Sequence, residues 1–271
     1  MKGKMLLWMA AAALLLGPGR LYAGTGLAGT DHDFTNAAMY TISGTDGEGN
    51  PITTVGLCTF CHTPHKAQHT ALLWNHTDTN NNFSWTDNTT TMAGTVLPSF
   101  TKTWNGPTPK CLSCHDGSIA VGDIQWYGAN TPQITITSVE NGILDGGGRL
   151  IDTTHQVGVG GSMNGNHPVT VPYPGVGSRS YNNTTTGASY VSGEWQADPT
   201  SLGVVLYKAS DSTTTASISR VTSSPGAGDN LGVECASCHD PHNKASVDDF
   251  FLRGTKDGND TNYICLKCHI K

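Results

Sequence analysis

Apolar residues are concentrated at the very start of the chain and scattered afterwards. Residues 5–16 form an unbroken hydrophobic run, led by Lys2 and Lys4 and followed by Leu21-Tyr22-Ala23, a small-residue cleavage site before Gly24. This is the layout of a secretory signal, so residues 1–23 are read as removed on export. The run is too short to span a bilayer, and no stable membrane anchor is expected. Beyond it there is little sustained helical periodicity. Residues 133–137, 203–207 and 216–219 predict short strands, separated by Gly-rich and polar segments such as 145–148 and 182–187. The pattern predicts a chain of coil and loops with a few short β-hairpins. So long a loop-rich stretch argues against a compact domain unless something other than side chains fills the interior.

The cysteines supply that filler. All eight lie in four CxxC pairs, each followed directly by histidine: Cys58, Cys61 and His62; Cys111, Cys114 and His115; Cys235, Cys238 and His239; Cys265, Cys268 and His269. With 11 histidines in 271 residues, chance would put His after all four pairs with a frequency of roughly a few in a million. CxxCH is the attachment signature of c-type haem. Two thiols one short turn apart can each add to a vinyl group of the same porphyrin, and the next residue then turns its imidazole to the iron. The eight cysteines are therefore covalent attachment points for four haem c groups, and His62, His115, His239 and His269 are the proximal iron ligands. Redox dithiols and zinc sites also use CxxC, but neither needs a histidine straight after every copy. Short helices are expected at these motifs.

Seven histidines remain: His32, His65, His69, His76, His155, His167 and His242. That exceeds four distal positions, whereas the mature chain keeps only Met39, Met92 and Met163 as competing ligands, so bis-histidine ligation is expected throughout. His65 lies three residues after His62 in CHTPH, and His242 three after His239 in CHDPH. So placed, neither can reach the far face of its own haem, but each can reach a neighbouring one, which implies haems packed against one another. His32 and His167 complete the distal candidates, with His76 as alternate; His69 and His155 read as solvated or interfacial. The Gly-rich arm 24–31, expected to be mobile, suggests further that His32, or another spare histidine, completes the coordination of a terminal haem in the next subunit.

Processing removes Lys2, Lys4 and Arg20, leaving 12 basic against 21 acidic residues and a formal charge of −9. Such a balance disfavours a nucleic-acid partner, which needs a basic surface. The mature 248 residues amount to 62 per haem, too few for a separate core around each. We expect a single domain over 24–271, with an N-terminal haem pair in 24–115, a loop- and β-rich insert in 116–234 and a second pair in 235–271.

The segment CASCHDPHNKASVDDFFLRG, followed by ICLKCH, resembles the doubled-CxxCH module of multihaem cytochromes. The early HDF, CTFCHTPH, LLWNH and CLSCHDG are similar to the exported tetrahaem cytochromes of metal-reducing microbes, including the filament-forming outer-membrane cytochrome E type. The middle, apart from NHPV, matches nothing familiar. This resemblance implies bis-His haems in a continuous chain, long-range electron transfer and, in filament-forming members, one ligand donated by the adjacent subunit. The expected role is extracellular or periplasmic electron transfer as part of a homopolymer, between upstream and downstream redox partners or extracellular acceptors. The alternatives are a soluble periplasmic shuttle and a multihaem reductase, which would need an iron with an open distal position.

Overall fold

The computed structural model describes residues 26–67, 72–85, 90–91, 94–95, 101–102, 106–125, 133–174, 180–181, 184–185, 191–210, 218–221, 224, 230–248 and 250–270. The signal segment, His69 and Met92 lie outside them. Regular structure is sparse. Among the described residues, ten strands, none longer than six residues, run as β1 (Tyr40–Thr45), β2 (Phe83–Ser84), β3 (Thr101–Lys102), β4 (Gln133–Ser138), β5 (Val171–Pro172), β6 (Ser180–Tyr181), β7 (Thr184–Thr185), β8 (Tyr207–Ala209), β9 (Ile218–Arg220) and β10 (Asn230–Val233). Two helices, α1 (Thr108–His115) and α2 (Cys235–Cys238), cover the second and third CxxC pairs. A 3-10 turn covers the fourth, Ile264–Lys267, while the first is built of turns. Among the described residues, no helix is long and apolar enough to cross a membrane.

The strand expected at 133–137 is present, but its partner is distant in sequence. β4 pairs antiparallel with β1, setting Ile42 opposite Ile136 and Gly44 opposite Ile134. Alternation along this ribbon turns Tyr40, Ile134 and Ile136 inward, onto Ile52, Val55, Phe60, Val121 and Ile124. Complete burial of a side chain such as Ile136 contributes about 1.5–3 kcal/mol. The ribbon also demands a glycine beneath it, since a Cβ at Gly122 would meet the Ile134 carbonyl oxygen at 2.5 Å.

The second sheet has the order β5-β10-β8-β9. Here the sequence pattern misplaced a strand: residues 199–202 form a 3-10 turn capped by Asp198, Gly203 takes φ 94°, and the strand starts only at Tyr207. The sheet leads directly into the third haem motif, because β10 ends one residue before Glu234 and Cys235. Of the four apolar clusters among the described residues, three carry a motif cysteine at their margin. Cys61 borders the β1/β4 cluster, Cys235 the cluster of Phe83, Leu112, Met163 and Val169, and Cys268 that of Tyr173, Trp195, Leu206, Leu231 and Val233.

Candidate haem-binding site

Two stretches of the chain fold alike around their CxxCH motifs. After His62, the chain turns through Lys66 (φ 55°) and Leu73 (φ 51°); after His239 it turns through Asn243 (φ 50°) and Phe251 (φ 58°). Each turn brings the chain back over its motif. The Thr63 amide donates to the Leu73 carbonyl at 2.8 Å, and the Asp240 amide donates to that of Phe251 at 2.7 Å. His62 Nδ1 donates to the Leu72 carbonyl and His239 Nδ1 to that of Phe250, both at 2.7 Å. Four residues at positive φ and two matched ring bonds make the described parts of 58–74 and 235–252 versions of one structural unit. In sequence, only CxxCHxPH betrays the kinship.

The ring bonds bear on chemistry. A histidine that donates through Nδ1 is held as the tautomer whose Nε2 is an acceptor, the form that binds a metal. His115 has the same arrangement, with Nδ1 donating to the His155 carbonyl at 2.8 Å, and His167 donates to the Pro168 carbonyl at 2.8 Å. Burial also disfavours the charged form of several of the histidine rings. It pushes His32 down to about 3, with the His115, His239 and His155 charges adding to the effect, and it lowers His115, His167, His242 and His269.

Three motif histidines face a histidine from elsewhere. Ring centroids are 6.0 Å apart for His115 and His32, 6.1 Å for His62 and His242, and 6.4 Å for His269 and His167. An imidazole nitrogen binds a metal at about 2 Å and the ring centroid lies roughly 1 Å behind it, so two imidazoles on one iron hold their centroids roughly 6 Å apart. The residues therefore fit the group that CxxCH implies. Trp195 flanks His269 at 4.5 Å, and Phe251 flanks His32 at 5.0 Å, closing the pairs on their apolar sides.

The remaining candidates part ways. His65, the counterpart of His242, is exposed, and no ring faces it among the described residues; His239 is likewise exposed. His76 is buried between Phe60 at 5.0 Å and Trp74 at 5.4 Å, and neither of its ring nitrogens makes a geometric hydrogen bond. Its ring is pushed down to about 4 by burial. His155, read from sequence as solvated, is half-exposed but not loose, since its Nδ1 donates to the Asp152 carboxylate. The expectation of a mobile N-terminal arm is corrected. Gly26 exchanges hydrogen bonds with Asn243 at 3.0 and 2.9 Å, and Phe34 stacks on Phe60 at 4.2 Å, so His32 is locked beside His115 of its own chain. Glycines at 26 and 29 serve tight turns there, with φ of 86° and 76°.

The eight cysteines are all free of disulfides. Burial pushes the thiols of Cys61, Cys114, Cys238 and Cys268 up to about 12, and their mutual influence shows which motifs adjoin. Cys61 is raised further by Cys114, Cys111 hydrogen-bonds with Cys235, and Cys238 and Cys268 each feel Cys265. Successive motifs are thus spatial neighbours. Among the described residues, no group of three or more His, Cys, Asp or Glu side chains converges as a lone metal ion would require.

Residues 229–271 match the family model described as a doubled CXXCH motif. This segment is a haem c-binding signature of the kind found in multihaem c-type cytochromes, and it points to haem-binding electron transfer. No curated protein matches the chain.

Proposed function

We propose that the chain is an exported tetrahaem electron carrier, extracellular or periplasmic, working as a subunit of a polymeric cytochrome. The observation that supports it best is the set of three facing imidazole pairs at 6.0, 6.1 and 6.4 Å, each joining a motif histidine to one from a separate part of the chain. Cys58 and Cys61, Cys111 and Cys114, Cys235 and Cys238, and Cys265 and Cys268 would hold four haem c groups. His62 with His242, His115 with His32, and His269 with His167 would be the axial ligands of three of them. When bound, haem c supplies a one-electron Fe(III)/Fe(II) couple. The chain orients His62, His115 and His167 through Nδ1–H bonds to backbone carbonyls, and burial disfavours the charged form of His32, His115, His167, His242 and His269.

The fourth position carries the polymer reading. In the two related units, His242 faces the His62 ring, whereas among the described residues no imidazole ring stacks on His65 or His239, although His239 lies near enough to His32 and His115 to act on both. We assign this unmatched pair to the subunit interface: His65 of one copy completes the iron bound at His239 of the next. An interface between two different surfaces propagates head to tail as an open filament. His65 thus takes the role for which the sequence offered His32 or another spare histidine. The open His239 is also the observation that favours a reductase, since an iron lacking its sixth ligand can take a substrate.

Electron microscopy of the exported protein, combined with EPR, tests both readings. Filaments with low-spin iron throughout support the conduit. Dispersed subunits retaining one high-spin iron support the reductase, and dispersed subunits with four low-spin irons support the shuttle.

A further inference from the structure

Glu234 is the most deeply enclosed acid described in the protein, with no exposed surface, and it sits immediately before Cys235. Its carboxylate joins two motifs. Oε2 accepts from the Thr108 amide at 3.2 Å, at the start of α1 and three residues before Cys111. Within its own unit it accepts from the amide of Ser237, while the Ser237 hydroxyl accepts from the Glu234 amide at 2.9 Å, a reciprocal cap on α2. Oε1 accepts from the Tyr181 hydroxyl at 2.6 Å. The Cys235 amide donates to the Thr108 hydroxyl at 3.1 Å, which ties the two helix starts together around the acid.

Such a position is costly for an anion. Helix starts and hydroxyl donors favour the carboxylate, but complete removal from water opposes it more strongly. Burial pushes Glu234 up to about 7, against the lowering effect of Thr108 and Tyr181. No cation offsets this: among the described residues, no lysine or arginine is ion-paired or hydrogen-bonded to Glu234. The ionisable groups around it are Tyr181 from β6, Tyr207 from β8, Cys111 from α1 and Cys235 from α2. Arg220 and Arg253 act on Tyr207, and Arg253 lies 3.4 Å from Asp240. Neither cysteine is an iron ligand. Once joined to porphyrin each is a neutral thioether, so Glu234 keeps its burial and loses two acidic neighbours.

We propose that Glu234 is the proton-binding partner of electron transfer at the second and third haem sites, taking up one proton when they are reduced and releasing it on oxidation. This rests on the reading that Cys111 and Cys235 carry haem. Reduction adds one electron from the redox donor to iron, and one proton from solvent adds to a Glu234 carboxylate oxygen; oxidation reverses both. The driving force is electrostatic, because an electron placed next to a buried, unpaired carboxylate disfavours its charge further. Electron passage through the middle of the protein is thereby tied to pH.

The test is spectroelectrochemical titration of the full haem-loaded protein from pH 5 to pH 9, with redox-difference infrared spectroscopy. In the wild type, reduction becomes harder as pH rises, by up to tenfold per pH unit, or about 59 mV for a one-electron couple. A protonated-carboxyl band appears on reduction. Glu234→Gln should flatten the pH dependence and delete that band. Tyr181→Phe removes one donor to the carboxylate and should move the pH-dependent window upward, which keeps the proposal testable if Glu234→Gln does not fold. An unchanged pH dependence in Glu234→Gln, or an unmoved window in Tyr181→Phe, would overturn it in favour of other groups such as the propionates. Intact mass showing no haem at the second and third motifs would instead overturn the haem reading itself.

Discussion

Replacing His242 with alanine separates ligation inside a subunit from ligation between subunits. The His242 ring lies 6.1 Å from that of His62, with the two planes 22° apart, and among the described residues no second imidazole ring stacks on His62. The next histidine along the chain beyond the 58–74 unit is His76, but it is wedged between Phe60 and Trp74 and its backbone is bridged to Ile124. A swing to the iron would empty a core position, at a cost of about 2–5 kcal/mol by analogy with large-to-small core changes. The substitution therefore affects one iron in four, and its full amplitude should be seen. EPR and visible spectra of His242→Ala should move about a quarter of the iron from low-spin to a five-coordinate or water-bound state, with all four covalent attachments intact. His65→Ala should leave the isolated subunit's spectrum unchanged but abolish assembly. Four unaltered low-spin irons in His242→Ala would refute the pairing. A spectral change in monomeric His65→Ala would refute assignment of His65 to the interface.

Other consequences follow from the same geometry. Intact-mass analysis of exported protein should give a chain starting at Gly24 plus four haems; three or fewer would break the count. Gly232→Ala should destabilise the fold by about 1–3 kcal/mol in denaturant titration, because a Cβ there would sit 2.3 Å from the Tyr181 ring; stability equal to wild type would contradict that packing. Glu234 has its folded pKa raised, from 4.5 to about 7, so its share of stability is fully present below about pH 4.5, falls as pH rises to about 7 and is flat beyond. The loss is about 3 kcal/mol at most, and Glu234→Gln should remove that part of the slope in denaturation curves measured between pH 4 and pH 8.

How much of this could be read from the sequence depended on whether the signal was local. CxxCH is local, since its chemistry needs two thiols and an imidazole within five residues, and the same spacing exposes the whole attachment set. The apolar clusters are not. Ile42 meets Ile136 across a gap of more than ninety residues, and only alternation in each strand hinted at a buried face. His32 was misjudged for a physical reason. The glycines of the arm suggested freedom, but Gly26 and Gly29 serve tight turns, and the contacts that fix the described part of the arm are with Asn243, Phe60 and Phe251. The second half of each folded unit was also hidden, because Leu72-Leu73 and Phe250-Phe251 correspond in backbone conformation rather than in residue identity. Glu234 gave no warning, since an acid before CxxCH reads as a solvated charge until β10 and α1 enclose it.

The relation between the two equivalent units constrains what assembly can be. Each unit carries an Nδ1-anchored motif histidine and, three residues later, a second imidazole. If the units exchanged second imidazoles symmetrically, the subunit would be self-contained. It is not symmetric, because the His242-to-His62 contact is made and the His65-to-His239 contact is not. The open pair can be satisfied between copies in two ways. A reciprocal exchange, His65 to His239 in both directions, closes at two subunits about a two-fold axis, whereas a one-way donation leaves a free His65 at one end and a free His239 at the other. Only the second continues. Sedimentation of freshly matured protein across a concentration series should therefore give a ladder of lengthening species, with the high-spin fraction falling as one terminal iron is shared over ever more subunits. A species that stops at the dimer with all iron low-spin would keep the trans ligation and sink the filament.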